Sequence, residues 1–226
     1  MGKRGIFGGT FNPIHLAHLR AAEEAREALG LEKVVFVPAG TPPLKNTGAQ
    51  LAPVSERLRM VELAIKGNPF FELSDVECRE GKKSSPSYTV NTLEELKLSH
   101  PEDDLVFITG MDVFMELHLW WRPERLIELA DFAVLSRPGW SFGSIMDSPY
   151  IDGPEGLRAG LSELDGKGRG VFSLRLKSGR GLHLVRIRDM EIAARDIRSL
   201  VKRGGSIRYL LPEAVESFII SYKLYL

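Results

Sequence analysis

The chain has 226 residues, 43% of them hydrophobic, and carries 30 basic and 30 acidic side chains. That apolar share is enough to pack a core and excludes a disordered chain, while a net charge of zero excludes bulk attraction to nucleic acid or to an anionic membrane. The single cysteine, Cys78, excludes an intrachain disulfide and a cysteine-based metal centre.

Strand and helix patterns alternate from the start. Gly5–Phe7 reads as a short strand, and Leu16–Leu29 as a helix stopped by Gly30. Lys33–Val37 reads as a buried strand ending at Pro38. Ser55–Ile65 reads as a helix with Ser55 as N-cap and Leu58, Val61, Leu63 and Ala64 as its apolar positions. Phe70–Leu73 reads as a strand, and Thr89–Leu98 as a helix with Val90, Leu93, Leu96 and Leu98 inward. Asp104–Thr109 is a further strand, followed at once by Gly110. Pro123 suits the first position of a helix running to Leu129, and Phe132–Leu135 is the next strand.

Residues 140–181 break this rhythm. They are rich in Gly, Ser and Asp and weakly periodic, which predicts a flexible insertion, with a substrate lid or interface element as the alternative. His183–Arg188 resumes a strand, and Asp196–Lys202 and Pro212–Ile220 read as helices, making 190–226 a C-terminal helical part. The β-α-β-α order predicts an α/β fold over 1–226, a parallel sheet with helices on both faces. Ile6-Phe7 is cut short by glycines, so no leader segment is expected, and no apolar run approaches the ~18 residues of a membrane span. The expected location is the cytoplasm.

The most specific string is Gly8-Gly9-Thr10-Phe11-Asn12-Pro13-Ile14-His15-Leu16-Ala17-His18, which joins the first strand to the first helix. Gly8 and Gly9 can take backbone angles closed to other residues and let a phosphate approach. Thr10 offers a hydroxyl, and Asn12-Pro13 sets a turn. His15 and His18, three apart, share one face at a helix start whose dipole favours an anion. The pattern predicts a phosphate cradle with two imidazole donors. It is not a P-loop, since no Gly-Lys-Ser/Thr follows, and it lacks the His-Glu-x-x-His spacing of a zinc site, so no protein-held metal is expected.

This string resembles the signature of the nucleotidyltransferase superfamily, His-x-Gly-His in its usual form, with Ala17 where that form has glycine. Four further strings are similar to the bacterial nicotinate-nucleotide adenylyltransferases: Val37 through Lys45, with Leu44 where the family usually has histidine; Ser87 through Leu93; Phe107 through Gly110, Asp112 and Trp120-Trp121; and Ser136-Arg137-Pro138-Gly139. The resemblance covers about residues 4–140 and 183–222. The late Ile-Ser-x-Thr-x-x-Arg phosphate motif stands here as Ile192-Ala193-Ala194-Arg195-Asp196-Ile197-Arg198, with both hydroxyls replaced.

The resemblance implies a Rossmann-like doubly wound sheet with a C-terminal helical extension. It also implies transfer of AMP from ATP to nicotinate mononucleotide, giving nicotinate adenine dinucleotide and pyrophosphate. His15 and His18 would serve catalysis. ATP would meet Gly8, Gly9, Thr10, Gly110, Asp112, Arg198 and, as a substitute donor, Arg195. Nicotinate mononucleotide would meet Lys45, Thr89, Trp120 as the stacking ring, and the backbone beside Trp121. Mg²⁺ would arrive with the ATP phosphates. Two readings stay open beside this one: an amide acceptor, nicotinamide mononucleotide, and a nucleotide-binding regulator without turnover. Trp120 and Trp121 as core, Asp112 as a helix cap and Arg195 as a solvent-facing residue are the plain structural alternatives. Self-association is left open.

Overall fold

The computed structural model describes residues 2–41, 51–79, 86–152, 157–166 and 170–226. Its elements in chain order are β1 (Lys3–Gly9), α1 (Leu16–Leu29), β2 (Lys33–Pro38), α2 (Val54–Ile65), β3 (Phe71–Leu73), α3 (Thr89–Ser99), β4 (Asp104–Gly110), α4 (Met111–Met115), α5 (Pro123–Leu129), β5 (Asp131–Leu135), α6 (Leu157–Asp165), β6 (Gly170–Arg175), β7 (Gly181–Arg186), α7 (Ala194–Lys202) and α8 (Glu213–Ser221). Short 3-10 helices occupy Leu117–Leu119 and Phe142–Asp147.

The strands form one sheet in the order β3-β2-β1-β4-β5-β7-β6. β1 pairs with β4, β4 with β5 and β5 with β7 in parallel, and β6 runs antiparallel to β7. This is a mostly parallel, Rossmann-like α/β fold. The order reverses at β1 and β4, and open α/β sheets bind ligands at the carboxyl ends of strands beside such a reversal. β1 ends at Gly9 and β4 at Gly110.

Contact density divides the chain into two compact units, the first made of Met1–Phe7, Ala21–Val34 and Tyr88–Asp189, the second of Gly8–Arg20, Val35–Ser87 and Met190–Leu226. In the first, β4 and β5 are buried almost end to end, as expected of strands covered on both faces. β6 instead alternates half-buried and exposed residues, the pattern of an edge strand. In the second, Phe36 of β2 packs edge-on against Phe71 of β3 at 5.0 Å, and α2 packs on α8.

Four differences from the sequence expectations have physical causes. α2 begins at Val54 with Pro53, not Ser55, at the cap; proline needs no partner for an N–H it lacks, and its carbonyl accepts from the Arg57 N–H. Leu98, expected inward, is 83% exposed, because the buried face of α3 is Val90, Thr92, Leu93 and Leu96. The sheet is not wholly parallel, since β6 turns back on β7 through residues 176–180, where the Leu176 N–H donates to the Arg180 carbonyl at 2.9 Å. Finally, the described part of 140–181 carries α6 and β6, with Phe142, Ile145, Leu161 and Leu164 buried, where composition and weak periodicity predicted a flexible insertion.

Candidate active site

The turn after β1 belongs to the second unit. Neither Gly8 nor Gly9 takes a left-handed backbone; the residue that does is Phe11, at φ 47°. Gly9 serves by lacking a side chain, since a Cβ there would meet the Phe11 ring at 3.0 Å. The strained backbone at Phe11 is held by packing: its buried ring meets the His18 ring edge-on at 5.2 Å and lies 5.8 Å from Phe36. A cis peptide follows at Asn12-Pro13.

His15 precedes the first turn of α1, where its carbonyl accepts from the His18 and Leu19 N–H groups at 3.0 and 3.3 Å. The Leu16 N–H, an orphan donor of the helix start, is satisfied by the Leu210 carbonyl at 3.0 Å. The two imidazoles stack with centroids 3.7 Å apart and planes 25° apart. His15 is buried at 5% exposure and His18 is half-buried. The His15 backbone N–H donates to His18 Nδ1 at 3.3 Å, so that nitrogen is an acceptor and the proton of a neutral His18 ring sits on Nε2. The turn thus presents a directed imidazole N–H at the start of a helix.

Asn12 is the structural hub of the turn. Its Oδ1 accepts from the Ala52 N–H at 3.1 Å and from the Tyr225 hydroxyl at 2.8 Å. Its carbonyl accepts from Arg198 Nη1 at 2.7 Å. Burial pushes the Tyr225 phenol well above its ordinary range, against the pull of Arg198 and Arg57, so the hydroxyl remains a donor. Arg198 therefore reaches the turn. Arg195 does not: its side chain is 83% exposed and pairs with the adjacent Asp196 at 3.3 Å. α7 opens on Ala193 in extended backbone with no side-chain cap, the local consequence of the missing hydroxyl.

Arg57 is a candidate residue the sequence reading missed. It is 1% exposed, on the apolar face of α2 with Met60, Val61 and Ile65. Its Nη1 donates to the carbonyls of Thr10 at 2.9 Å and Ala39 at 2.6 Å, Nη2 to Gly40 at 3.0 Å, and Nε to Ala52 at 3.2 Å. Burial lowers its pKa and the nearby Cys78, Tyr225 and Glu77 raise it, yet a guanidinium stays charged at any physiological pH. The signal was present, since a lone arginine interrupts an apolar helical row. The neighbouring Cys78 thiol donates to the Pro38 carbonyl at 3.2 Å and is pushed up by burial to about 11, which makes it a poor nucleophile. Lys45 lies outside the described residues.

In the first unit, β4 ends at Gly110, the N-cap of α4. Asp112 lies in the first turn of that helix rather than at its cap. A Cβ on Gly110 would collide with the Asp112 carboxylate and meet Arg137 Nε at 2.7 Å, so a side chain there would have to displace both groups. Arg137 Nε stands 3.4 Å from Asp112 Oδ1, within ion-pair range, while that oxygen is shielded from solvent and makes no hydrogen bond among the described residues. Trp120 is half-buried, its ring edge-on to Phe107 at 6.2 Å. Trp121 is 57% exposed and stacks on Tyr88 at 5.5 Å, which brings the Trp121 segment beside Thr89, the first residue of α3. Neither tryptophan is fully buried core. No group of three or more His, Cys, Asp or Glu side chains among the described residues could hold a metal ion.

Residues 6–199 match the cytidylyltransferase-like family. A probable nicotinate-nucleotide adenylyltransferase of Geotalea daltonii is 40% identical over 221 residues, 98% of this chain and 97% of the relative. One of Trichlorobacter lovleyi is 42% identical over 223 residues, 99% of each. These alignments run through residues 140–181, which the motif strings alone had left out. Among solved structures, the nicotinic acid mononucleotide adenylyltransferase of Plasmodium falciparum complexed with NaAD superposes with a TM-score of 0.70 at 18% identity, covering 100% of this chain and 98% of that one. At that identity the likeness concerns the fold.

Proposed function

This chain belongs to the cytidylyltransferase-like family and, within it, to the nicotinate-nucleotide adenylyltransferases, and from that premise we propose which of its residues carry the reaction. The enzyme transfers AMP from ATP to nicotinate mononucleotide, a step of NAD biosynthesis. The 5′-phosphate oxygen of the mononucleotide attacks the α-phosphorus of ATP in line, the bond to the β-phosphate oxygen breaks, and pyrophosphate leaves. A phosphate monoester carries about −1.5 to −2 charge near neutral pH and is already a nucleophile. No strong protein base is needed, and catalysis rests on positioning and on neutralising charge.

The observation that carries this assignment of roles is the pair of stacked imidazoles at the start of α1, behind a turn built to keep side chains out of the way. Gly8, Gly9 and Thr10 line the approach of the triphosphate, and His15 and His18 donate to its oxygens. Arg198 adds charge from α7 beside the same turn. Arg195, exposed and paired with Asp196, is a weaker candidate and would have to swing inward. Gly110 and the shielded oxygen of Asp112 face the adenosine. Trp120 stacks on the pyridine ring, Thr89 and the backbone beside Trp121 hold the nicotinate carboxylate, and Lys45 meets a phosphate.

Mg²⁺ fits as a passenger of ATP, because imidazole and N–H donors serve phosphate oxygens and not a hard cation. When bound it neutralises phosphate charge; the chain's own groups orient that phosphate. No described helix is long and apolar enough to cross a membrane, and we place the enzyme in the cytoplasm on the strength of its substrates. Self-association is a question for sedimentation. The direct test is pyrophosphate release from ATP with nicotinate mononucleotide and, in parallel, with nicotinamide mononucleotide. The expected result is turnover strongly favouring the acid. Binding of ATP without release would reduce the chain to a nucleotide sensor.

A further inference from the structure

The segment after α8 bends back toward the turn that follows β1. The Lys223 N–H donates to the Ile220 carbonyl at 3.2 Å and the Leu224 N–H to the Ile219 carbonyl at 3.0 Å, which closes the helix with Lys223 in left-handed backbone at φ 51°. Tyr225, beyond that closure, is left-handed as well, at φ 68°. Such backbone is uncommon for a residue with a side chain and persists where the surroundings hold it. Here the bend brings the Tyr225 hydroxyl to Asn12 Oδ1 at 2.8 Å. We propose that Tyr225 is a positioning residue for adenylyl transfer: its hydroxyl fixes the Asn12 side chain and, through it, the alignment of the His15 and His18 rings. This rests on the reading that the turn receives ATP and that the two imidazoles serve the transfer.

The direction of that hydrogen bond is fixed by a second one. The Asn12 atom that meets the hydroxyl also accepts from the Ala52 N–H at 3.1 Å, so it is the carbonyl oxygen and the hydroxyl must donate. The Met60 sulfur, 4.0 Å from the hydroxyl, is a weaker acceptor. Asn12 is buried, and its backbone carbonyl accepts from Arg198 Nη1 at 2.7 Å. Its side chain is thus gripped from beyond α8 and its peptide plane from α7. That grip reaches both imidazoles by short paths. On one side stands Phe11, left-handed at φ 47°, whose ring meets His18 edge-on at 5.2 Å. On the other, buried Pro13 and Ile14 lead to His15, whose ring stacks on His18 at 3.7 Å. Proline locks one backbone angle, so a rotation of the Asn12 peptide is passed along the chain rather than absorbed there. A donor serves the transition state only in the right place, and a misplacement of about 1 Å can cost about 10² in rate.

Tyr225→Phe removes the hydroxyl and keeps the ring. Its single-turnover rate with saturating ATP and nicotinate mononucleotide is expected to fall about tenfold or more. Its affinity for α,β-methylene-ATP, measured by calorimetry, should stay within about twofold of wild type, since a donor needed in the transition state is lost without loss of ground-state binding. A merely structural hydroxyl would lower the thermal midpoint and leave the rate per folded molecule unchanged, and that result overturns the proposal. In a His18→Ala background the same substitution should cost far less, because one of the groups it aligns is gone, and an undiminished cost overturns the proposal as well. If Tyr225→Phe does not fold, the wild type labelled with ¹³C at the tyrosine ζ-carbons decides. The Tyr225 signal, which reports the hydrogen bond of its hydroxyl, should move when α,β-methylene-ATP binds, and an unmoved signal overturns the positioning role. The underlying reading fails differently: wild-type protein that makes no dinucleotide, or His18→Ala with wild-type turnover, sinks that reading whatever Tyr225→Phe does.

Discussion

In the proposed mechanism His18 is the residue on which the chemistry turns most directly. Its Nδ1 is occupied by the His15 backbone N–H, so a neutral ring presents Nε2–H in one direction. A donor fixed before the transition state forms costs no reorganisation, and deleting one such donor lowers turnover by about 10² to 10³. His18→Ala should therefore lose about that much kcat, with KM for ATP changed far less and with a wild-type circular dichroism spectrum. Turnover within a few-fold of wild type would remove the imidazole from the mechanism. Phe11 teaches a related point at the same turn. The unusual backbone falls on an aromatic residue and not on the adjacent glycines, because burying a ring against His18 and Phe36 offsets the strain, while Gly9 is needed only for the room it leaves.

Among the elements, α7 is the one whose boundary is weakly specified. Ala193 sits at its N-cap in extended backbone; its carbonyl accepts from the Asp196 N–H at 3.0 Å, but it offers no side-chain acceptor to the first-turn N–H groups. Ala193→Ser would supply one, and such a cap contributes about 0.5–2 kcal/mol. The expected outcome is a higher denaturant midpoint at unchanged slope. A midpoint at or below wild type would show that those N–H groups are already satisfied. α2 makes the opposite case. Propensity and apolar spacing announce the helix, but one of its buried side chains is a guanidinium, and its carbonyl partners, with Glu77 nearby, explain why a charge is tolerated there.

At the scale of the whole molecule, the end of the sheet carries a pH-dependent contact. His183 on β7 has Nδ1 2.8 Å from the Ser173 hydroxyl on β6 and Nε2 4.0 Å from Asp131 on β5. Burial lowers its pKa below the ordinary value, Lys3 adds to the shift, and Asp131 opposes it. A histidine that resists protonation in the fold stabilises it above the unfolded pKa of about 6.5, and that contribution is lost as pH falls through and below it. The urea midpoint should therefore drop between pH 7.5 and pH 5, and more steeply in wild type than in His183→Gln. Parallel curves for the two proteins would show that the imidazole is not linked to global stability.

How much of this was legible beforehand follows from the range of the interactions. Local regularities were readable: α1 and α5 begin and end where Gly30 and Pro123 require, and β4 and β5 announce themselves as short continuous apolar runs, because helix periodicity, caps and burial on two faces are written in neighbouring residues. The turn that brings the two imidazoles together was readable for the same reason, as eleven consecutive residues from Gly8 to His18. The antiparallel β6, the carbonyl cage around Arg57, the Asp112–Arg137 pair and the grip of Tyr225 on Asn12 were not. Tyr225 and Asn12 are 213 positions apart, and no local pattern marks one as the partner of the other. The sequence by itself determined the make-up of the turn and the order of the elements. The tertiary structure alone decided what holds that turn in place, because buried polar groups must find partners wherever the fold brings a donor to an acceptor.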